Sequence, residues 1–224
     1  MACSGFTRPS PEPVRQIRNC WKGFYLVYRR SPASLPPTAT STKIVVAGGF
    51  GVGKTTFVRS VSEIEPVTTE AMMTDASADL DDLAATPQKT TTTVAMDFGR
   101  RTLDESLVLY LFGTPGQARF WFLWDDLIRG ALGAIVLADP RRLADSFPAI
   151  EYFENFPSVP FIVALNCIHG ILPYRIEQVR DALTIGPHIP VLTCDARDTR
   201  SVQHILVQLI RYAMTLASSP ELVH

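Results

Sequence analysis

One stretch constrains this chain more than any other: Gly48-Gly49-Phe50-Gly51-Val52-Gly53-Lys54-Thr55-Thr56. Gly48, Gly53, Lys54 and Thr55 satisfy the phosphate-loop pattern G-x-x-x-x-G-K-[ST]. A short apolar run, Lys43 to Ala47, precedes it and reads as a buried strand. Phe57-Val58-Arg59-Ser60-Val61 follows and reads as the first turns of a helix. Between a strand and a helix, glycines let the backbone fold tightly enough for successive amide N–H groups, from Gly49 to Thr56, to face one anion. The helix adds its own unpaired N–H groups and the positive end of its dipole. In such a loop Lys54 would reach the outer phosphates of a nucleotide, and the Thr55 hydroxyl would ligate Mg²⁺.

The rest of the chain frames that loop. From Lys43 on, short runs rich in Val, Ile, Leu and Phe alternate with helical patterns. Strands are expected at 43–47, 93–98, 106–112, 133–138, 161–166 and 191–194. Helices are expected at 54–63, 117–128, 141–155, 174–183 and 199–217. Gly99-Arg100-Arg101 reads as a turn joining the second and third strands into a hairpin. The other connections are helical crossovers, which build a parallel sheet. The expected class is therefore α/β: a P-loop NTPase with a doubly wound, mostly parallel six-stranded sheet and one antiparallel strand. Ligand should lie at the carboxyl ends of the strands. In the last helix, Val202, Ile205, Leu206, Leu209, Ile210 and Ala213 fall at core-packing spacing.

Two segments stand apart. Residues 1–41 form a basic, Pro-rich arm. Within residues 1–40 there are six basic side chains against one acid and no sustained periodicity, so disorder is expected. The arm reads either as a dispensable extension or as a surface for a membrane or partner. Residues 62–92 are acidic and Thr-rich, carry Pro66 and Pro87, and are long for a connection. They include a short helix candidate near Ala78–Ala84 and lie where a loop could close over a nucleotide. The domain proper is expected at 42–217, with 218–224 a tail. A net charge of -1 gives no general pull toward nucleic acid. Cys3, Cys20, Cys167 and Cys194 show no metal-ligand spacing, which suits free thiols in a reducing cytoplasm. No apolar run is long enough to span a bilayer.

Later motifs complete a pattern. The order of phosphate loop, Thr-rich loop, Thr114-Pro115-Gly116-Gln117, Asn166-Cys167-Ile168-His169 and Cys194-Asp195-Ala196-Arg197 resembles the small Ras-like GTPases. The strings TTTTVAMDFGR and LYLFGTPGQARFWFLWDDL are most similar to the bacterial conservon-type GTPases, related to the MglA-type polarity GTPases. The resemblance covers roughly residues 42–217. It implies bound GTP or GDP with Mg²⁺, slow GTP hydrolysis and signal transduction. It also implies a roadblock/LC7-type partner, in a histidine-kinase-linked complex that would hold the protein at the membrane only indirectly.

The resemblance also assigns roles. Thr55 and Thr93 are implied as metal ligands, with Thr90, Thr91 and Thr92 close to Thr93 in register. Catalytic roles fall on Lys54, on Gly116, whose N–H would meet the γ-phosphate, and on Gln117, which would orient the attacking water. Nucleotide contacts fall on Gly49, Phe50, Gly51, Val52, Gly53, Lys54, Thr55, Thr56, Asn166, Cys167, His169, Ala196 and Arg197. Ala196 would offer its N–H to the base oxygen. Three departures are plain. Gly113 replaces the usual Asp that holds a metal-bound water. Cys167 replaces the Lys whose stem packs over the base, and His169 replaces the Asp that grips the guanine edge. A neutral imidazole offers one donor and one acceptor and cannot reproduce that carboxylate fork. Selectivity built on such bonds reaches roughly 10⁴-fold, so acceptance of ATP becomes an open alternative.

Other residues carry two readings. Asp139, ending a strand before Pro140, reads best as a cap. Phe120, Leu123, Trp124 and Leu127 share one helical face, while Trp121 and Phe122 are either partner surface or core. Arg100, Arg101 and Arg119 are the candidate catalytic arginines. Sites lacking such a group lose roughly 10³–10⁵ in rate. The functional alternative is a scaffold that binds nucleotide without hydrolysing it, favoured by Gly113, Cys167 and His169 and opposed by Gln117. A small-molecule kinase would need an arginine-bearing lid, which the sequence does not show.

Overall fold

In β1 (Thr40–Gly48) the side chains alternate between two cores. Ile44 and Val46 point to one face of the sheet, Val45 and Ala47 to the other, and all four are fully buried. A strand apolar on both faces belongs in the middle of a covered sheet, and β1 lies there. The structure is a computed structural model that describes residues 40–65, 67–74, 91–104, 107–116, 120, 123–167 and 172–218.

After β1 come α1 (Lys54–Val61), β2 (Val67–Thr74), β3 (Thr91–Asp104) and β4 (Leu107–Gly113). Then follow α2 (Trp124–Ile128), β5 (Ala131–Ala138), α3 (Phe147–Glu154), β6 (Phe161–Asn166), α4 (Ile176–Leu183), β7 (Val191–Cys194) and α5 (Thr199–Ser218). The strand order is β2-β3-β4-β1-β5-β6-β7. β1 pairs in parallel with both β4 and β5, and β6 and β7 continue the parallel run. β3 is antiparallel to β4 and to β2, so β3 alone runs against the rest. One face packs on α1 and α5 through Phe57, Val58, Val202, Leu206 and Leu209. The other packs on α2, α3 and α4 through Trp124, Phe153, Val179 and Leu183. The chain leaves β1 toward β4 on one side and returns to β5 on the other. The crevice at the carboxyl end of β1 is therefore the switch point where such sheets bind ligands.

The six expected strands are present, and β2 is a seventh, inside the segment read as a long loop. Thr40 and Ser41 belong to β1 rather than to the arm, and Ser218 belongs to α5 rather than to the tail. Gly99, Arg100 and Arg101 are not a turn: β3 runs straight through them, with Gly99 opposite Leu111. The glycine serves packing instead. A Cβ there would come within 2.7 Å of Val58 Cγ1 on α1. Helix α1 stops at Val61 because Ser62 leaves helical geometry. The Ser62 hydroxyl then accepts from the backbone N–H groups of Ile64 and Arg100. The helix expected from Arg141 starts at Phe147, after a 3₁₀ turn over Leu143–Ser146. Phe120, Leu123, Trp124 and Leu127 are all buried, as their spacing predicts. The helix candidate at 78–84, Trp121 and Phe122, and nearly all of the arm lie outside the described residues. No helix among the described residues is long and apolar enough to cross a membrane.

Candidate functional site

The phosphate loop takes its shape from three backbone positions that L side chains avoid. Gly48, Gly51 and Gly53 have φ of 137°, 74° and 104°. A Cβ at Gly48 would meet the Leu137 carbonyl oxygen at 2.2 Å, and one at Gly53 would meet Asn166 Nδ2 at 2.7 Å. Any larger residue would push the loop off β5 or β6. Gly53 caps α1 without a side chain, and its carbonyl accepts from Phe57 N at 2.8 Å. The opening N–H groups of the helix are therefore left to an anion.

Lys54 lies in the mouth of this loop, almost fully buried. Its Nζ donates to the carbonyls of Gly48 at 2.9 Å and Gly49 at 2.7 Å. Burial pushes its ammonium down to about 8 from an ordinary 10.5, against the opposing pull of Asp97. A bound polyphosphate would supply the missing negative charge and hold that proton. Across the mouth stands Gly116, where a Cβ would come 2.7 Å from Lys54 Nζ and 2.9 Å from Phe50 N. Only a glycine lets the chain after β4 lie this close to the loop. Two residues back, Thr114 Oγ1 is buried without a hydrogen-bond partner among the described residues, the kind of atom an ordered ligand or water satisfies.

On the metal side, Thr55 Oγ1 donates to Asp97 Oδ2 at 2.7 Å. Asp97 is a buried β3 residue that sequence reasoning passed over. The sequence carries no signal that singles it out, and only the pairing with β4 shows where it goes. A hydroxyl, a carboxylate and adjacent phosphate oxygens form a hard-oxygen set that suits Mg²⁺, which uses one or two carboxylates plus phosphates and water. The residues present fit the ion. Thr93 lies on β3, four residues before Asp97, or roughly 13 Å along an extended strand, and its backbone pairs with Met72 of β2.

At the base end the arrangement differs from expectation in three places. Asn166 keeps its bracing role: Nδ2 donates to Val52 O at 2.9 Å and Oδ1 accepts from Ala196 N at 3.0 Å. One amide thus ties the phosphate loop to the loop after β7. The same bond occupies the Ala196 N–H expected to meet the base oxygen. Arg197 is likewise engaged, its guanidinium forking onto Asp195 at 3.0 and 2.8 Å. Cys167 is only 2% exposed and belongs to the core, so it presents no stem to a base. Its backbone N–H bonds Cys194 O at 2.7 Å, and burial raises both thiols, Cys194 to about 12.

The remaining calls sort plainly. Gly49, Gly51, Val52 and Thr56 stand in the loop as expected. Phe50 is 71% exposed. Asp139 caps a turn, accepting from Arg141 N at 2.9 Å, and pairs with the Arg141 guanidinium at 2.8 Å. Those bonds hold its carboxyl below the usual range. Arg100 pairs with Glu63 at 2.8 Å. Arg101 pairs opposite Leu109, four residues down β4 from Gly113. Arg142, which the sequence reading missed, lies nearer: its Nη2 reaches toward Phe50 O at 3.5 Å, beside Asp145. Gln117, Arg119 and His169 lie outside the described residues.

A family model described as a conserved hypothetical ATP binding protein matches residues 46–216. The chain belongs to that family. The match starts inside β1 and ends in α5, so it spans the whole sheet and the phosphate loop. An uncharacterized protein of Methanocaldococcus jannaschii is 31% identical over 126 residues, covering 55% of this chain and 68% of that protein. Among solved structures, the G domain of the FeoB iron transporter of T. maritima is similar in fold. Its TM-score is 0.55 at 18% identity, over 78% of this chain and 99% of the G domain. The fold is that of a nucleotide-binding, GTPase-like P-loop domain.

Proposed function

We propose that the protein is a nucleotide-dependent switch. It binds GTP or GDP with Mg²⁺, hydrolyses GTP slowly and reports its state to a partner. The observation that carries this reading is the phosphate-loop assembly itself. Three positive-φ glycines, a buried Lys54 and the Gly116 backbone come together at the head of α1. When bound, the metal would supply charge neutralisation between the outer phosphates, and Thr55 would hold it. Lys54 binds and neutralises phosphate oxygens, Gly116 offers backbone to the last phosphate, and Gln117 orients the water. Slow turnover is supported by the engagement of Arg100 with Glu63. β2 and the first half of β3, which contains Thr93, form the segment that would rearrange when a third phosphate is present. The motif strings favour a conservon-type protein whose partner is of the roadblock/LC7 type, working beside a histidine kinase.

A second reading concerns the base. The buried Cys167, the occupied Ala196 N–H and the family's description as ATP-binding all favour a site open to adenine. Competition among GDP, GTP, ADP and ATP separates the two, repeated with His169→Asp. Strong preference for guanine in the wild type would remove the adenine reading. Single-turnover hydrolysis with and without Gln117→Ala tests the switch, since equal rates would leave only a non-hydrolysing scaffold.

A further inference from the structure

Gly113 ends β4 directly opposite Asp97 of β3. Cross-strand partners share a face of the sheet. Here the pair is tight: a Cβ on Gly113 would lie 3.1 Å from both Asp97 Cβ and Asp97 Oδ2. Asp97 is 8% exposed, and the hydrogen bond from Thr55 crosses from α1 to β3 to reach it. A buried carboxylate without a cation or donors is costly. This one has the Thr55 hydroxyl and stands close enough to Lys54 for the two charges to interact.

The direction of the hydroxyl bond matters. A threonine oxygen has one proton and two lone pairs. With the proton committed to Asp97, the lone pairs turn away from the carboxylate and are left for a cation. The hydroxyl is thereby preset as a metal ligand, and the second carboxylate oxygen remains to accept from metal-bound water. An aspartate at the end of β4 could do the same, but the Asp97 side chain already fills that place.

We propose that Asp97 is the metal-positioning carboxylate of this site, moved one strand over from the end of β4, and that Gly113 lacks a side chain to admit it. The proposal rests on the nucleotide-binding reading above. It assigns to β3 a function that the sequence placed on β4 or left missing. It also turns Gly113 from a sign of weakened metal binding into half of a compensated pair.

The full-length chain tests this with fluorescent GDP titrated in EDTA and in Mg²⁺, and with Mn²⁺ binding followed by electron paramagnetic resonance. Asp97→Asn keeps the shape and an acceptor for Thr55 while removing the charge. Removing a supporting partner of a metal ligand lowers metal affinity roughly 10–100-fold, and that is the loss expected for Mn²⁺. The ratio of GDP affinity in Mg²⁺ to that in EDTA should fall toward one. Combining Asp97→Gly with Gly113→Asp should recover most of the metal response, which a purely structural role for Asp97 would not predict. Mn²⁺ affinity unchanged in Asp97→Asn would overturn the assignment. Equal loss of GDP affinity with and without metal would also overturn it, because Asp97 would then be only a tie between helix and sheet. A folded relocation variant no better than Asp97→Asn would overturn the compensated pair. A wild type that binds GDP without any response to Mg²⁺ would sink this proposal, and the metal part of the functional reading with it, while leaving nucleotide binding intact. A wild type that binds no nucleotide under either condition would sink the functional reading beneath it as well.

Discussion

The two ends of the site are built by different rules. At the phosphate end, the site rests on backbone geometry at Gly48, Gly53 and Gly116 and on two buried charged groups, Lys54 and Asp97. At the base end, the described positions expected to meet the base are occupied by core packing or by internal bonds. Cys167 is in the core, the Ala196 N–H is on Asn166, and Arg197 is on Asp195. Gripping a polyphosphate requires donors converging within one turn of chain, which a strand-loop-helix supplies locally. Reading a base requires three separate loops to present free polar groups, and here those groups bond one another.

That contrast yields tests of graded size. The largest effect should come from Lys54→Ala. A hydrogen bond to a charged group is worth roughly 1.5–3 kcal/mol, so loss of two such phosphate contacts lowers affinity by roughly 100-fold or more. Fluorescent nucleotide titration measures it, and a variant that binds as wild type would end the phosphate-end account. Gly116→Ala comes next. Its methyl would lie 2.7 Å from Lys54 Nζ and 2.9 Å from Phe50 N, so the strand end must retreat from the loop. Triphosphate affinity should fall about tenfold, with diphosphate affinity much less changed. An equal loss for both would mean that Gly116 does not face the last phosphate.

Asn166→Ala probes the one residue joining the two ends. It removes a donor to Val52 O and the acceptor for Ala196 N. Each lost bond leaves a partly buried group unmet, for a destabilisation of about 1–3 kcal/mol. Urea unfolding reads that value, and an unchanged midpoint would show that the brace is dispensable. At the base end the thiols offer a quieter check. A folded Cys194 holds its proton to about 12, whereas an unfolded thiol loses it near 9. Between those values the unfolded chain binds fewer protons, so stability falls as pH rises through that window. At pH 8 neither Cys167 nor Cys194 should react with iodoacetamide in the folded protein, while both react in urea. Peptide mass mapping that finds rapid alkylation of Cys167 would place it in an open base pocket instead. The smallest effect is expected for Arg197→Ala, whose guanidinium is exposed and tied to Asp195. Nucleotide affinity measured by competition should barely move. A clear drop would restore Arg197 to the base site.

Much of the fold could be read from the chain because the signals are short-range. An apolar run, a glycine turn and a helical stripe each occupy about ten residues, and each forms where it is written. The loop motif likewise names its own residues, and Asn166 follows from its place at the end of β6. The unread parts all depend on register. Gly99 looked like a turn until α1 was seen to lie against it. β2 was hidden in a polar, threonine-rich stretch whose strand character comes from pairing with β3. Cys167 looked like a substitution at a binding position, and the packing of β6 and β7 makes it core.

By itself, then, the order of residues settled the class of fold, the place of the loop at the end of β1 and the identity of the lysine and threonine within it. Those are properties of contiguous backbone, where a side chain's role follows from its immediate neighbours. Only the assembled sheet decided that Asp97 stands beside Thr55, that Gly113 makes room for it, and that Ala196 and Arg197 bond within the protein. Apart from the Arg197–Asp195 pair, those outcomes join groups well separated in the chain, and no local pattern carries the strand register that brings them together.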